Sequence, residues 1–125
     1  NLSNYILEKE NFIIDKDVDK LIKDMYLSEK PIAAMCAATV LIAKSLGNES
    51  KQLQLCTSNN AHRKILEMNN VIVKEISSAE AYVDMQNRIV TTPAFLGTQN
   101  LYEMKIGIDK MMISVRFFAV LFEKS

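Results

Sequence analysis

In the run KPIAAMCAATVLIAKSLG, residues 30–47, a cysteine stands between an apolar stretch and an amphipathic one. Ile32, Ala33, Ala34 and Met35 carry no polar side chain, and Ala38, Leu41, Ile42 and Leu46 then recur at helical spacing as far as Gly47. Cys36 therefore falls on the corner of a strand-to-helix turn. A sharp turn of that kind lifts one side chain out of the sheet and needs small neighbours, here Ala34, Ala37 and Ala38. A thiol at such a corner also meets the unpaired amides of a helix N-terminus, whose partial positive charge favours the thiolate and covalent attack on an electrophile. The same residues equally describe a small buried apolar side chain, the usual fate of a free cysteine, because A-x-C-x-A lacks the glycines of G-x-S-x-G. Spacing alone leaves both readings open.

The other residues able to do chemistry are few. His62 is the sole histidine; it opens a segment of helical pattern and is expected to be solvated there, with a role as the base for Cys36 as the rival reading. Thr92 and Pro93 close a strand-like run beside the position of the corner, and with Ala37 and Thr39 they are the candidates for touching a substrate. The Thr92 hydroxyl is expected rather to end the strand by bonding local backbone, with substrate contact as the rival reading. Cys56 falls in the alternating run QLQLCT and is expected to pack, on the opposite side from Leu53 and Leu55. With one histidine and two cysteines twenty residues apart, no metal site and no cofactor is expected.

These residues need elements to hold them. Asp15 can cap a helix whose apolar positions are Val18, Leu21, Ile22 and Met25, ending before Pro31. A strand over 31–35 and a helix of about ten residues follow, which is half of a βαβ unit. QLQLCT is a second strand, 61–68 a short helix, and Val71 to Val73 a third strand. AYVDMQNRIVTTP reads as a hairpin, with Asp84 to Asn87 supplying the turn. From about Thr98 to Glu123, Leu101, Met104, Ile108, Met111, Met112, Val115, Phe118, Ala119 and Phe122 mark a C-terminal helix with a broad apolar stripe. Strands alternating with helices predict an α/β layered fold, with sites beyond the carboxyl ends of the strands.

The whole chain of 125 residues is 49% hydrophobic and carries fifteen basic and fifteen acidic residues, which suits one folded unit and argues against disorder. No basic stretch is interleaved with aromatics, so neither nucleic acid nor an anionic membrane is an expected partner. No apolar run reaches the length of a membrane span, and NLSNYILEKENF lacks the pattern of a secretory signal. The cysteine usage fits a reducing compartment; the cytoplasm is expected, with mitochondria as the alternative.

NLSNY, KPIAAMCAATVLIAKSLG and above all AYVDMQNRIVTTPAF resemble the ElbB-type proteins. These are the isoprenoid-biosynthesis-associated, amidotransferase-like branch of the ThiJ/PfpI group, within the class I glutamine amidotransferase-like superfamily. The resemblance runs along nearly the whole chain, and V-D-x-x-N-[KR]-[IV]-V-T-T-P-A-[FY] is its specific part. It implies a flavodoxin-like three-layer sandwich with a mainly parallel sheet. Residues 1–125 would be the C-terminal portion of one such domain, without its N-terminal strands. It also implies that Cys36 is the elbow nucleophile, with Thr39 where relatives often carry proline.

In that family the cysteine is assisted by a glutamate from near the N-terminus, a glycine-rich oxyanion loop and often a histidine in a G-H-E-like turn. The first two fall before the segment matched by Asn1 to Ser3, and Thr57 to Asn60 stands in place of the third. The resemblance thus implies glyoxalase- or deglycase-like action on small carbonyl compounds in complete form, weak or absent in this chain. The alternative is a non-catalytic interaction or redox-sensing module; glutaminase activity is not expected, since no triad is visible. A strand edge left open beside residues 31–35 predicts a homo-oligomer or association with an N-terminal fragment.

Overall fold

The computed structural model describes residues 12–123. Helix α1 (Lys16–Leu27) begins where the Asp15 carboxylate accepts from the amides of Asp17 and Val18, satisfying two donors that a helix start leaves open. It ends at Ser28 with Glu29 in the left-handed region (φ 61°), the amide of Lys30 donating to Met25 O and that of Glu29 to Tyr26 O. This paired closure turns the chain before Pro31. Strand β1 (Ile32–Met35), a 3-10 turn (Cys36–Ala38) and helix α2 (Thr39–Leu46) follow without a break. Next come β2 (Gln54–Thr57), α3 (Asn60–Met68), β3 (Ile72–Glu75), the hairpin β4 (Tyr82–Asp84) and β5 (Ile89–Thr92), a 3-10 turn (Ala94–Leu96) and the 23-residue helix α4 (Leu101–Glu123).

Strand β5 is the centre of a three-stranded sheet ordered β1-β5-β4. It runs parallel to β1, with Ile32 opposite Ile89 and Met35 opposite Thr92, and antiparallel to β4. Strands β2 and β3 form a second, parallel ladder, Gln54 opposite Ile72 and Thr57 opposite Glu75. Every residue of β5 is buried. Successive residues of a strand point to opposite faces, so Ile89 enters one apolar cluster and Val90 another. The first cluster joins β1 and β2 to α1, α2 and α3 through side chains such as Ile22, Leu46, Leu55 and Leu66; the second joins Val90 to Met111 and Phe118 of α4. Helices thus cover both faces of the sheet, which is the α/β sandwich.

Three expectations change in detail. The strand expected over QLQLCT shortens to Gln54–Thr57, and Cys56 packs as expected, since both sides of β2 are covered. The third strand lies at 72–75 rather than 71–73, since Asn70 at φ 64° and Val71 belong to the turn leaving α3. The stripe assigned to the C-terminal helix splits. Met104, Met111 and Phe118 are buried, whereas Leu101 and Met112 lie on the exposed side. Gly107 explains how α4 comes so close to the sheet: a Cβ there would stand 2.0 Å from Ser78 O and 2.8 Å from Thr92 Oγ1.

Candidate active site

Cys36 is held at the end of β1 with φ 56°, in a region that a side chain with a Cβ enters at a cost of about 1–2 kcal/mol. Met35 before it is extended (φ −132°, ψ 157°) and Thr39 after it is helical, so the whole change of direction is taken up within one turn. The thiol is half-buried. Its neighbours in the chain are the small residues that the turn requires: Ala34 is buried and Ala37 half-buried.

A second left-handed residue, Ala94 (φ 49°), follows Pro93 at the end of β5. Since β1 and β5 are parallel neighbours, their carboxyl ends coincide, and the two 3-10 turns pack against one another. The Ser78 hydroxyl donates to Ala94 O at 2.7 Å and fixes that turn. Gly97 then passes so close to Ser58 and Ser78 that a Cβ would meet their hydroxyls at 2.0 and 2.4 Å. Beyond it, at the carboxyl ends of β2 and β3, an open groove of about 450 Å³ is lined by Ser58, Asn60, Glu75, Ile76, Ser77 and Gly97. Cys36 does not line it.

His62 is not solvated. It is 2% exposed, on the inward side of α3, because the neighbouring turn of α2 presents it with a polar partner: its Nε2 lies 2.6 Å from Thr39 Oγ1. The Thr39 hydroxyl has one proton and donates it to Cys36 O at 3.0 Å. The short contact therefore assigns the imidazole proton to Nε2, leaving Nδ1 as a buried acceptor with no partner. Burial pushes the imidazole pKa down to about 4, so the ring is neutral at physiological pH. His62 thus reaches Cys36 only at its carbonyl, through Thr39. The expected helix was present and the expected exposure was not, because the α2–α3 contact that buries the ring is tertiary.

The other candidates are placed as follows. Thr39 is fully buried, and its hydroxyl joins His62 to the Cys36 carbonyl. Thr92 is fully buried and donates to Glu80 O at 2.7 Å, and Pro93 is buried at the start of the turn. Cys56 is buried, and desolvation raises its thiol pKa to about 11. Among the described residues no cluster of three or more metal-ligating side chains is found, and no helix is long and apolar enough to cross a membrane.

What the sequence did not disclose is the purpose of the VDMQNRIVTTP run. Asp84 Oδ2 accepts from the amide of Gln54 at 2.9 Å and Thr91 Oγ1 from the amide of Cys56 at 3.1 Å. Asn87 donates to Asp84 and to Lys51 O, and its own carbonyl oxygen accepts from the Tyr26 hydroxyl at 2.7 Å. The run stitches the β2–β3 ladder to the sheet that carries Cys36.

No family model matches the chain. It is 31% identical over 123 residues to the Homo sapiens "Glutamine amidotransferase-like class 1 domain-containing protein 3, mitochondrial", across 92% of this chain and 45% of that protein. Against the Rattus norvegicus "ES1 protein homolog, mitochondrial" it is 28% identical, across 92% and 46%. The fold matches the crystal structure of an isoprenoid biosynthesis protein with amidotransferase-like domain from Ehrlichia chaffeensis with a TM-score of 0.79 at 20% identity, over 94% of this chain and 53% of that one. The chain spans about half the length of the relatives it matches. Along nearly all of its own length, then, it is similar to glutamine amidotransferase-like class 1 domain proteins, and it has the α/β fold of an amidotransferase-like domain.

Proposed function

We propose that Cys36 is the reactive thiol of a ThiJ/PfpI-type, amidotransferase-like protein whose chemistry is addition to small carbonyl compounds. The observation that carries this is the left-handed backbone of a half-exposed cysteine at a strand-to-helix corner. A purely packing cysteine gains nothing from that strain, whereas a nucleophile gains access and the field of the following amides. In the step proposed, the thiolate sulfur attacks an aldehyde carbon of a compound such as methylglyoxal. The C–S bond forms, the C=O π pair moves to oxygen, and that oxygen takes a proton from water to give a hemithioacetal. Turnover then needs a group that moves the adjacent proton. His62 is turned to Thr39 and does not supply that group. We therefore expect this chain alone to form the adduct but not to exceed a Cys36→Ala control in methylglyoxal turnover. Clear turnover above that control would refute the proposal's catalytic half, and absence of a Cys36 adduct by mass spectrometry would refute all of it.

A second reading follows from the placement of His62, which among the described residues is bonded to Thr39 and not to the thiol: a thiol that reacts without turning over suits oxidation sensing. Attack of the thiolate on a peroxide oxygen breaks the O–O bond, leaving a sulfenic acid on Cys36 and releasing hydroxide. Selective oxidation of Cys36 over Cys56 under mild peroxide supports this reading, and an inert thiol rejects it. The names of both relatives place them in mitochondria, which supports a mitochondrial location over the cytoplasm. Imaging of the tagged full-length gene product tests it.

A further inference from the structure

The Cys36 carbonyl ends a short polar chain that the fold closes off from solvent. Thr39 Oγ1 donates to it at 3.0 Å, the Thr39 amide donates to it as well, and His62 Nε2 stands 2.6 Å from the same hydroxyl. Thr39 is fully buried, as is His62. The two lie on different helices, α2 and α3, 23 positions apart, so no local rule of helix geometry brings the imidazole there. The α3 end is held separately, by the Asn59 side chain, which accepts from the His62 amide at 3.0 Å.

Packing alone does not select this pair. His62 Nδ1 is buried with no partner among the described residues, and an orphaned polar atom carries a cost that an apolar side chain of similar volume avoids. What the histidine does is fill an acceptor site of the Thr39 oxygen with Nε2–H, while the hydroxyl proton goes to Cys36 O. Linked bonds of this kind polarise and stiffen one another. They act on a residue at φ 56°, a conformation that persists only where its surroundings over-determine it.

The next peptide carries the effect to the thiol. None of the described peptide bonds is cis, and a planar trans unit holds its N–H antiparallel to its C=O. Fixing the Cys36 carbonyl on Thr39 therefore fixes the Ala37 amide on the opposite side of the same plane. An amide at the start of a helical turn has no partner within it, and the one directly after the nucleophile of a strand-to-helix corner is a donor to charge developing on the attacked carbonyl oxygen.

We propose that Thr39 and His62 are positioning residues for addition at Cys36, which together aim the Ala37 N–H at the oxygen that becomes negative when the thiolate adds to a carbonyl carbon. The inference rests on Cys36 being the carbonyl-reactive thiol proposed above. As the C–S bond forms, the C=O π pair moves to that oxygen, and the Ala37 amide stabilises it until water protonates it. His62 serves as a donor to Thr39 and takes no proton from the thiol.

Two reagents separate this role from mere support of the fold. Addition to methylglyoxal develops charge on oxygen, whereas alkylation by iodoacetamide displaces iodide and reads only access and thiolate. Thr39→Val keeps the shape and removes the hydroxyl, and Thr39→Ser keeps the hydroxyl. Stopped-flow absorbance should show methylglyoxal addition at Cys36 slowed about tenfold in Thr39→Val and restored in Thr39→Ser, with iodoacetamide labelling within about twofold of wild type in both. If circular dichroism shows Thr39→Val misfolded, His62→Met against His62→Gln poses the same question, since Gln retains an N–H for Thr39. In the unaltered protein, nitrogen NMR of the sole histidine should report the Nε2–H tautomer. An Nδ1–H tautomer, equal slowing with both reagents, or no slowing in the variant lacking the hydroxyl overturns the proposal. A wild-type protein that forms no methylglyoxal adduct overturns the reading beneath it as well.

Discussion

The Asp84 carboxylate accepts the Gln54 amide at 2.9 Å across two strands that share no backbone ladder. A β-strand that lies beside another normally satisfies its amides by exchange with its neighbour's carbonyls. Here β2 takes acceptors from side chains of the hairpin instead, Asp84 and Thr91, so the motif acts as a substitute for ladder bonds. Asp84 is 3% exposed and holds the Asn87 amide as well.

Replacing Asp84 by Ala orphans buried donors on Gln54 and Asn87, each costing about 1–3 kcal/mol. We expect Asp84→Ala to lose about 3 kcal/mol in urea denaturation, and Thr91→Val, which removes one acceptor without changing shape, about 1–2 kcal/mol. Equal, near-zero losses would show that water replaces both acceptors.

At position 36 the usual ranking of alanine over glycine should reverse. Alanine keeps the Cβ in the left-handed region and glycine removes it, a difference of about 1 kcal/mol in favour of Cys36→Gly. Thermal denaturation of the two variants measures this directly. A more stable alanine variant would mean that the corner relaxes to ordinary geometry in solution.

Alkylation should separate the two thiols. At pH 8 iodoacetamide is expected to label Cys36 and to spare Cys56, which is buried and whose thiol is raised to about 11. Peptide mapping after a timed quench reads the ratio, and comparable labelling of both sites rejects the burial of β2.

The histidine predicts an acid-dependent loss of stability. Its folded pKa of about 4 lies below the ordinary value near 6.5, so between those pH values the unfolded chain binds the additional proton. Stability is therefore full above about pH 6.5 and falls as the pH drops towards 4, by up to about 3 kcal/mol from this group. His62→Gln keeps a donor for Thr39 and removes the titration. The difference between wild type and variant, followed by urea unfolding from pH 7 to pH 4, should narrow by that amount; parallel curves would place the imidazole in water.

Gly107→Ala would stabilise an isolated helix by about 1 kcal/mol, but here the new methyl would stand 2.0 Å from Ser78 O. Overpacking should win, giving a net loss of about 2 kcal/mol by thermal denaturation. A gain would show that α4 is not seated on the 78–80 segment.

The sequence by itself determined the local elements: helical and alternating periodicities, the Asp15 cap, the Asn87 turn chemistry and the corner at Cys36 all follow from interactions within a few residues. The resemblance carried by the VDMQNRIVTTP run and by the corner reached the fold as well. What only the tertiary structure decided is where polar side chains find partners. His62 reads as an exposed helix residue from its neighbours in sequence and is buried because Thr39, 23 residues away, gives its Nε2–H an acceptor. Asp84 reads as a turn residue and Thr91 as one more residue of a hairpin strand, and both prove to hold a separate ladder. The reason is range: periodicity and capping report the chain's own geometry, whereas burial of a polar group depends on a partner that the fold alone brings within hydrogen-bond distance.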